Sequence, residues 1–153
     1  MKTKVYLFIS LILSAALLLS FIQDDEAIKK LILSFQKFNN SHIQEKVYLH
    51  TDKPYYAIGD EIWFKAYVVD AQNLEPTPQS NYLYVDLIDG RDSVKKTLKL
   101  PLVAGLGWGN FELKDSLKEG NYRLRAYTQW MRNFGEAYFY DKIIKVGDSW
   151  TNQ

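Results

Sequence analysis

Tyr48-Leu49-His50-Thr51-Asp52-Lys53-Pro54-Tyr55-Tyr56-Ala57-Ile58-Gly59-Asp60-Glu61-Ile62-Trp63-Phe64-Lys65-Ala66 is the stretch whose reading decides the fold. Lys46 to Thr51 has strand composition. Pro54 then fixes φ and removes a ladder donor, so the chain must leave its sheet there. Gly59-Asp60 supplies a second turn, Gly59 accepting a backbone geometry that a Cβ would resist. From Glu61 to Asp70 the polarity alternates: Ile62, Phe64, Ala66 and Val68 point one way, Trp63, Lys65 and Tyr67 the other. A half-buried strand has that period.

The same period continues outward. Tyr82 to Asp89 reads as a strand, Asp89-Gly90-Arg91-Asp92 as a hairpin turn and Val94 to Val103 as a strand with a break near Pro101. Gly105, Gly107 and Gly109 read as a turn, and Asn110 to Lys114 as a short strand. Tyr122 to Trp130 alternates Tyr122, Leu124 and Ala126 with Arg123, Arg125 and Tyr127. Ala137 to Val146 is the last strand, and 148–153 a tail. No helical pattern separates these strands, so a parallel sheet is disfavoured. The sequence therefore predicts an all-β, seven-stranded antiparallel sandwich of immunoglobulin or fibronectin type over 45–147.

Two segments precede it. Residues 24–40 place Ile28, Leu31, Ile32, Phe35 and Phe38 at helical spacing, an amphipathic helix with Asp24, Asp25 and Glu26 at its N-terminal end. Residues 1–22 open with Lys2 and Lys4 and then run without a charge from Val5 to Ile22. That is a secretory signal peptide or an uncleaved membrane anchor, and it directs the rest of the chain out of the cytoplasm, to the periplasm or the outer-membrane surface.

Composition narrows the function. The 153 residues are 47% hydrophobic and 15% aromatic, including 11 Tyr and 4 Trp, enough for a real core. The formal charge is +1 with both signs interspersed, which leaves no electrostatic footprint for nucleic acid; contact with a membrane is expected only through the N-terminal segment. There is no Cys, which excludes a thiol nucleophile, a disulfide framework and a thiolate metal site. His42 and His50 do not have metal-ligand spacing, and no strand-to-helix nucleophile elbow exists. No catalytic, cofactor-binding or metal-binding residue can be named, and the chain is expected not to be an enzyme.

The quoted stretch resembles the opening of the MG2 domain of the α2-macroglobulin family, in which a first strand ends in T-D-K-P-x-Y, followed by a glycine turn and a strand of V-x-F-x-A type. Thr51, Asp52, Lys53, Pro54, Tyr56 and Gly59 carry the motif. Gly109-Asn110-Phe111-Glu112-Leu113 and Gly120-Asn121-Tyr122-Arg123-Leu124-Arg125-Ala126-Tyr127 are similar to the family's closing hairpin. The resemblance implies a macroglobulin-type sandwich. It also suggests the exported Bacteroidetes-type proteins in which such a domain stands near the N-terminus of longer, TonB-dependent-receptor-associated chains. Complete family members trap proteases through a bait region and a Cys-based thioester. A chain without Cys has no thioester, which leaves a part in an endopeptidase-inhibitor system as an alternative only.

The motif residues are expected to act structurally, Asp52 by accepting hydrogen bonds from turn amides. Functional promise rests on the outward aromatics Trp63, Tyr67, Tyr127 and Trp130, which are expected to form one candidate binding face. Neighbouring domains or envelope proteins are the partners expected first, in an interaction or spacer role. Glycans stacked on the same rings are the alternative partner, in a carbohydrate-binding module.

Overall fold

A computed structural model describes residues 25–147 apart from Pro78. The expected signal or anchor segment, 1–22, and the expected tail, 148–153, lie outside the described residues. Among the described residues no helix is long and apolar enough to cross a membrane. The described residues divide into two units, with the boundary between Ile43 and Gln44. In the first, α1 spans Asp25–Ser41. The predicted apolar positions Ile28, Leu31, Ile32, Phe35 and Phe38 are exposed along it. At its C-terminal end, Ser41 Oγ donates to the Lys37 carbonyl at 2.9 Å and the His42 ring stacks on Phe38.

The second unit is a sandwich of eight strands: β1 Glu45–Thr51, β2 Tyr55–Ala57, β3 Glu61–Asp70, β4 Tyr82–Ile88, β5 Val94–Pro101, β6 Leu106–Glu112, β7 Gly120–Thr128 and β8 Tyr140–Gly147. A three-stranded sheet runs β1-β3-β6 and a five-stranded sheet β2-β8-β7-β4-β5. This corrects the expected seven antiparallel strands. The additional strand is β2, and it pairs with β8 in parallel, Tyr55 opposite Lys145 and Ala57 opposite Gly147. The physical reason lies at Pro54. It ends the β1 ladder as expected, but the chain then steps across to the other sheet and resumes pairing instead of turning freely. β1 and β2 are two halves of one crossing strand.

Alternation gives the core. Val47 and Leu49 of β1 and Ile62, Phe64, Ala66 and Val68 of β3 face Leu83, Val85 and Leu87 of β4, Leu124 and Ala126 of β7, and Ile144 and Val146 of β8, all buried. Each Val, Leu, Ile or Phe among them contributes about 1.5–3 kcal/mol through removal from water. Phe64 and Phe111 stack with ring centroids 5.8 Å apart.

Three further boundaries differ from the sequence reading. β6 begins at Leu106, so the glycine run is strand and only Gly105 turns. Gly107 and Gly109 fill inward positions of β6. A Cβ on Gly109 would lie 3.2 Å from both Leu100 methyls and from Phe64 Cζ, so the neighbouring side chains occupy the volume its own would need. β7 ends at Thr128, which leaves Trp130 outside it. β8 starts at Tyr140 because short 3₁₀ turns occupy Met131–Phe134 and Glu136–Tyr138.

Candidate functional site

The motif residues form a hydrogen-bonded knot where β1 crosses to β2. Asp52 Oδ1 accepts from the Tyr56 hydroxyl at 2.5 Å and from the Trp63 amide at 3.1 Å. The Tyr56 oxygen in turn accepts from the Lys53 amide at 3.1 Å. Thr51 Oγ1 donates to the Lys53 carbonyl and receives Lys142 Nζ at 2.6 Å. Lys53 Nζ pairs with Asp60 at 3.0 Å. That ammonium, with the Ala57 amide, holds the Asp60 carboxyl below its ordinary range. Gly59, at φ 90°, donates to the Leu113 carbonyl at 2.7 Å and ties this turn to the end of β6. Burial, followed by the bond to Asp52, pushes the Tyr56 phenol up to about 12. Pro54 is exposed and carries no side-chain hydrogen bond. This arrangement joins strands.

The four outward aromatics do not form one face. Trp63 and Tyr67 lie on the outer face of the three-stranded sheet. Tyr127 lies on the outer face of the five-stranded sheet, on the opposite side of the sandwich. There it is covered: Phe139 stacks on it at 4.6 Å and Tyr84, its cross-strand partner, at 5.7 Å. Burial, with Asp86 nearby, raises its hydroxyl pKa. Trp130 is half-buried at the start of the first 3₁₀ turn, edge-on to Phe134 at 6.2 Å. A single-strand alternation rule cannot tell which sheet an outward residue belongs to, and it overran the end of β7.

The three-stranded sheet instead assembles an aromatic face that the sequence reading only half identified. Register places Tyr48 opposite Tyr67 and Trp108 opposite Lys65. Alternation along β3 then puts Tyr48, Trp63, Lys65, Tyr67 and Trp108 on one surface, with His50 opposite Lys65. Tyr48, Trp63 and Trp108 are 56%, 52% and 67% exposed, so this surface is open to solvent. Tyr48 and Tyr67 lie 6.4 Å apart, and Lys65 Nζ sits 5.2 Å above the Tyr67 ring. Trp108 was missed because its flanking glycines signalled a turn. Tyr48 could have been found from its alternation with Val47 and Leu49.

The outer face of the five-stranded sheet is also chemically distinct. Lys99 Nζ lies 4.3 Å above the Tyr82 ring, while Arg125 reaches both Glu136 and Asp141. Among the described residues no three His, Asp or Glu side chains converge as metal ligands.

No protein-family model and no curated protein matches the chain. Solved structures do. Native Escherichia coli α2-macroglobulin superposes with a TM-score of 0.58 at 16% identity, covering 69% of this chain and 6% of that one. The Y1175G mutant of Salmonella α2-macroglobulin gives 0.57 at 16% identity, covering 70% and 6%. The chain thus spans a small part of those proteins' length. What is shared is the fold: the two-sheet unit described above has a macroglobulin-like fold.

Proposed function

We propose that the chain is a non-catalytic macroglobulin-like module of an exported protein, docking to a neighbouring domain or an envelope protein through the outer face of the β1-β3-β6 sheet. One observation carries this reading: Tyr48, Trp63 and Trp108 are each more than half exposed on a single sheet face. Large exposed aromatics on one surface are costly to leave in water and enriched at protein interfaces. The motif knot supports it, because those residues are engaged with one another and with neighbouring strands, as a scaffold requires.

The export context rests on the charge pattern of the first 26 residues. A longer parent chain of TonB-dependent-receptor type, and a part in an endopeptidase-inhibitor system, rest on the resemblance alone. A glycan platform is the second reading, favoured by two tryptophans on one sheet face with Lys65 and Asn110 beside them.

The test is affinity capture from an envelope extract with the chain as bait, beside a Trp63→Ala/Trp108→Ala variant and a Tyr127→Ala variant. A defined protein retained by the parent and by Tyr127→Ala but lost from the double variant supports docking through this face. Capture unchanged by the double variant refutes it. Glycan-array binding lost in the same variant moves the assignment to the carbohydrate reading.

A further inference from the structure

A second surface, distinct from the aromatic face, is a cleft at one end of β5. Leu98 and Leu100 of β5 pack against the core. Lys96 shares their side of the strand, since register sets it opposite the buried Leu87, yet Lys96 is exposed. It points to the inner side of its sheet where the sandwich is no longer closed. The closed region lies further along β5, where Leu100 and Leu102 pack close against Gly109 and Gly107. Towards Val94 the two sheets leave a cleft of about 840 Å³ between β5, the 89–93 turn and the loop from Lys114 to Glu119.

The cleft's chemistry is lopsided. Arg91, Lys95, Lys96, Lys114 and Lys118 line it against Asp89, Glu112 and Glu119. Lys95 is engaged with Asp89 at 2.8 Å. Arg91, Lys96, Lys114 and Lys118 form no salt bridge among the described residues. Between them the floor is apolar, with Leu87 and Tyr122 buried and Leu117 packed on the core. On one side β5 is the edge of its sheet, paired among the described residues with β4 alone, so its outward backbone groups meet no described strand.

We propose that this cleft binds an acidic, extended peptide that lies along the free edge of β5. Backbone pairing to an open edge gives affinity without sequence, and alternate side chains give selectivity. Here the inward-pointing set would meet the apolar floor and the four cations around it, which form no salt bridge among the described residues, while the other set lies on the outer side of the sheet. Lysines on an edge strand also discourage edge-to-edge aggregation. That role alone does not account for Arg91, Lys114 and Lys118, which come from other segments and turn their charge on the same cleft. Cations from three segments flanking a strand edge suit a chain bearing several carboxylates better than one small anion.

The experiment uses the full chain in detergent micelles and a fluorescein-labelled octapeptide of alternating Glu and Leu, read by fluorescence anisotropy. Its Gln-Leu counterpart should bind roughly ten-fold or more weakly, and Lys96→Glu/Lys118→Glu should cost the acidic peptide a similar factor, because charge complementarity is its main recognition term. Lys46→Glu on the other sheet should leave binding unchanged. Equal binding of the two peptides, indifference to the double reversal, or displacement by equimolar pyrophosphate overturns the proposal. Should the double variant not fold, amide shifts on the unmodified chain decide. Changes at Val94, Lys96 and Leu98 support the site, and changes confined elsewhere overturn it.

Discussion

The Tyr56 hydroxyl donates to Asp52 Oδ1 at 2.5 Å, and the same carboxylate oxygen accepts the Trp63 amide. One acidic side chain thus joins the short β2 strand to β3 across the point where the chain changes sheets. Tyr56 itself is buried in the core. Tyr56→Phe removes the donor and leaves the Lys53 amide without its acceptor, which should cost about 1–3 kcal/mol. The effect has a pH signature. The folded-state pKa is raised from 10.0 to about 12, so the fold favours the neutral phenol. That contribution is fully present below pH 10 and is lost as pH rises through 12. Urea melts at stepped pH should show the gap between parent and Tyr56→Phe narrowing across this window. A gap constant to pH 12 would refute the assignment.

Phe64 tests the register of β3. It is 4% exposed and stacked on Phe111, whereas its neighbour Lys65 faces solvent. Phe64→Ala should cost about 3–5 kcal/mol. Lys65→Ala should stay within about 0.5 kcal/mol. A one-residue slip would exchange the two outcomes. Pro54→Ala should be mild, because Pro54 is exposed and the strand crossing is held by Asp52 and Tyr56.

Those two cases mark what the sequence makes legible. Alternation on β3 identified Ile62, Phe64, Ala66 and Val68 correctly, because a period of two survives wherever one face is buried. The T-D-K-P-x-Y motif announced a break and a turn. It could not announce β2, since three residues are too few to display a period and their partner, β8, lies 90 residues away. Trp108 was hidden for another reason. Glycine usually marks a turn, but Gly107 and Gly109 are small because Leu100, Leu102 and Phe64 already fill their space. That information resides in packing. So does the division of Trp63 and Tyr127 between opposite faces, which depends on strand order rather than on either strand alone.

Glu45 and Thr128 form a long-range polar lock. Glu45 is 3% exposed, and its Oε2 accepts from Thr128 Oγ1 and from Ser80 Oγ. Thr128 Oγ1 also accepts the Met131 amide at 3.1 Å, which positions the chain leaving β7. Thr128→Val keeps the shape and removes both roles, leaving a buried carboxylate short of a donor. It should cost about 1–3 kcal/mol, whereas Thr128→Ser should recover most of the loss. Calorimetry should place the Val variant about 4–8 °C lower in Tm per kcal/mol lost, as expected for a domain of this size. Equal melting of the Val and Ser variants would show that the hydroxyl is dispensable.

Gly105 has φ 72°, and a Cβ there would overlap the Val68 carbonyl oxygen and crowd Pro76. The Val68 amide donates to the Gly105 carbonyl at 2.7 Å, so the turn cannot move away without breaking the end of β3. Left-handed backbone alone costs a non-glycine residue about 1–2 kcal/mol. Gly105→Ala adds the clash and should lie above that range by denaturant melting. Gly135→Ala, at φ 97° and ψ 162° with nothing near its Cβ direction, should show only the cost of that glycine-only backbone region, about 1–3 kcal/mol. A Gly105→Ala loss of no more than about 2 kcal/mol would mean that the turn relaxes.

Trp63 and Trp108 separate stability from function. Both rings are mostly in water, so truncating them removes little packing. Each Ala variant should melt within about 0.5 kcal/mol of the parent, as is usual for surface positions. Phe139→Ala, on the opposite sheet, should lose more, because its ring covers Tyr127 at 4.6 Å. If the tryptophans are there to dock a partner, the stability-neutral pair should be the binding-defective pair. A large loss of stability on Trp108→Ala would instead assign that ring to the fold and remove the main observation behind the proposed docking face.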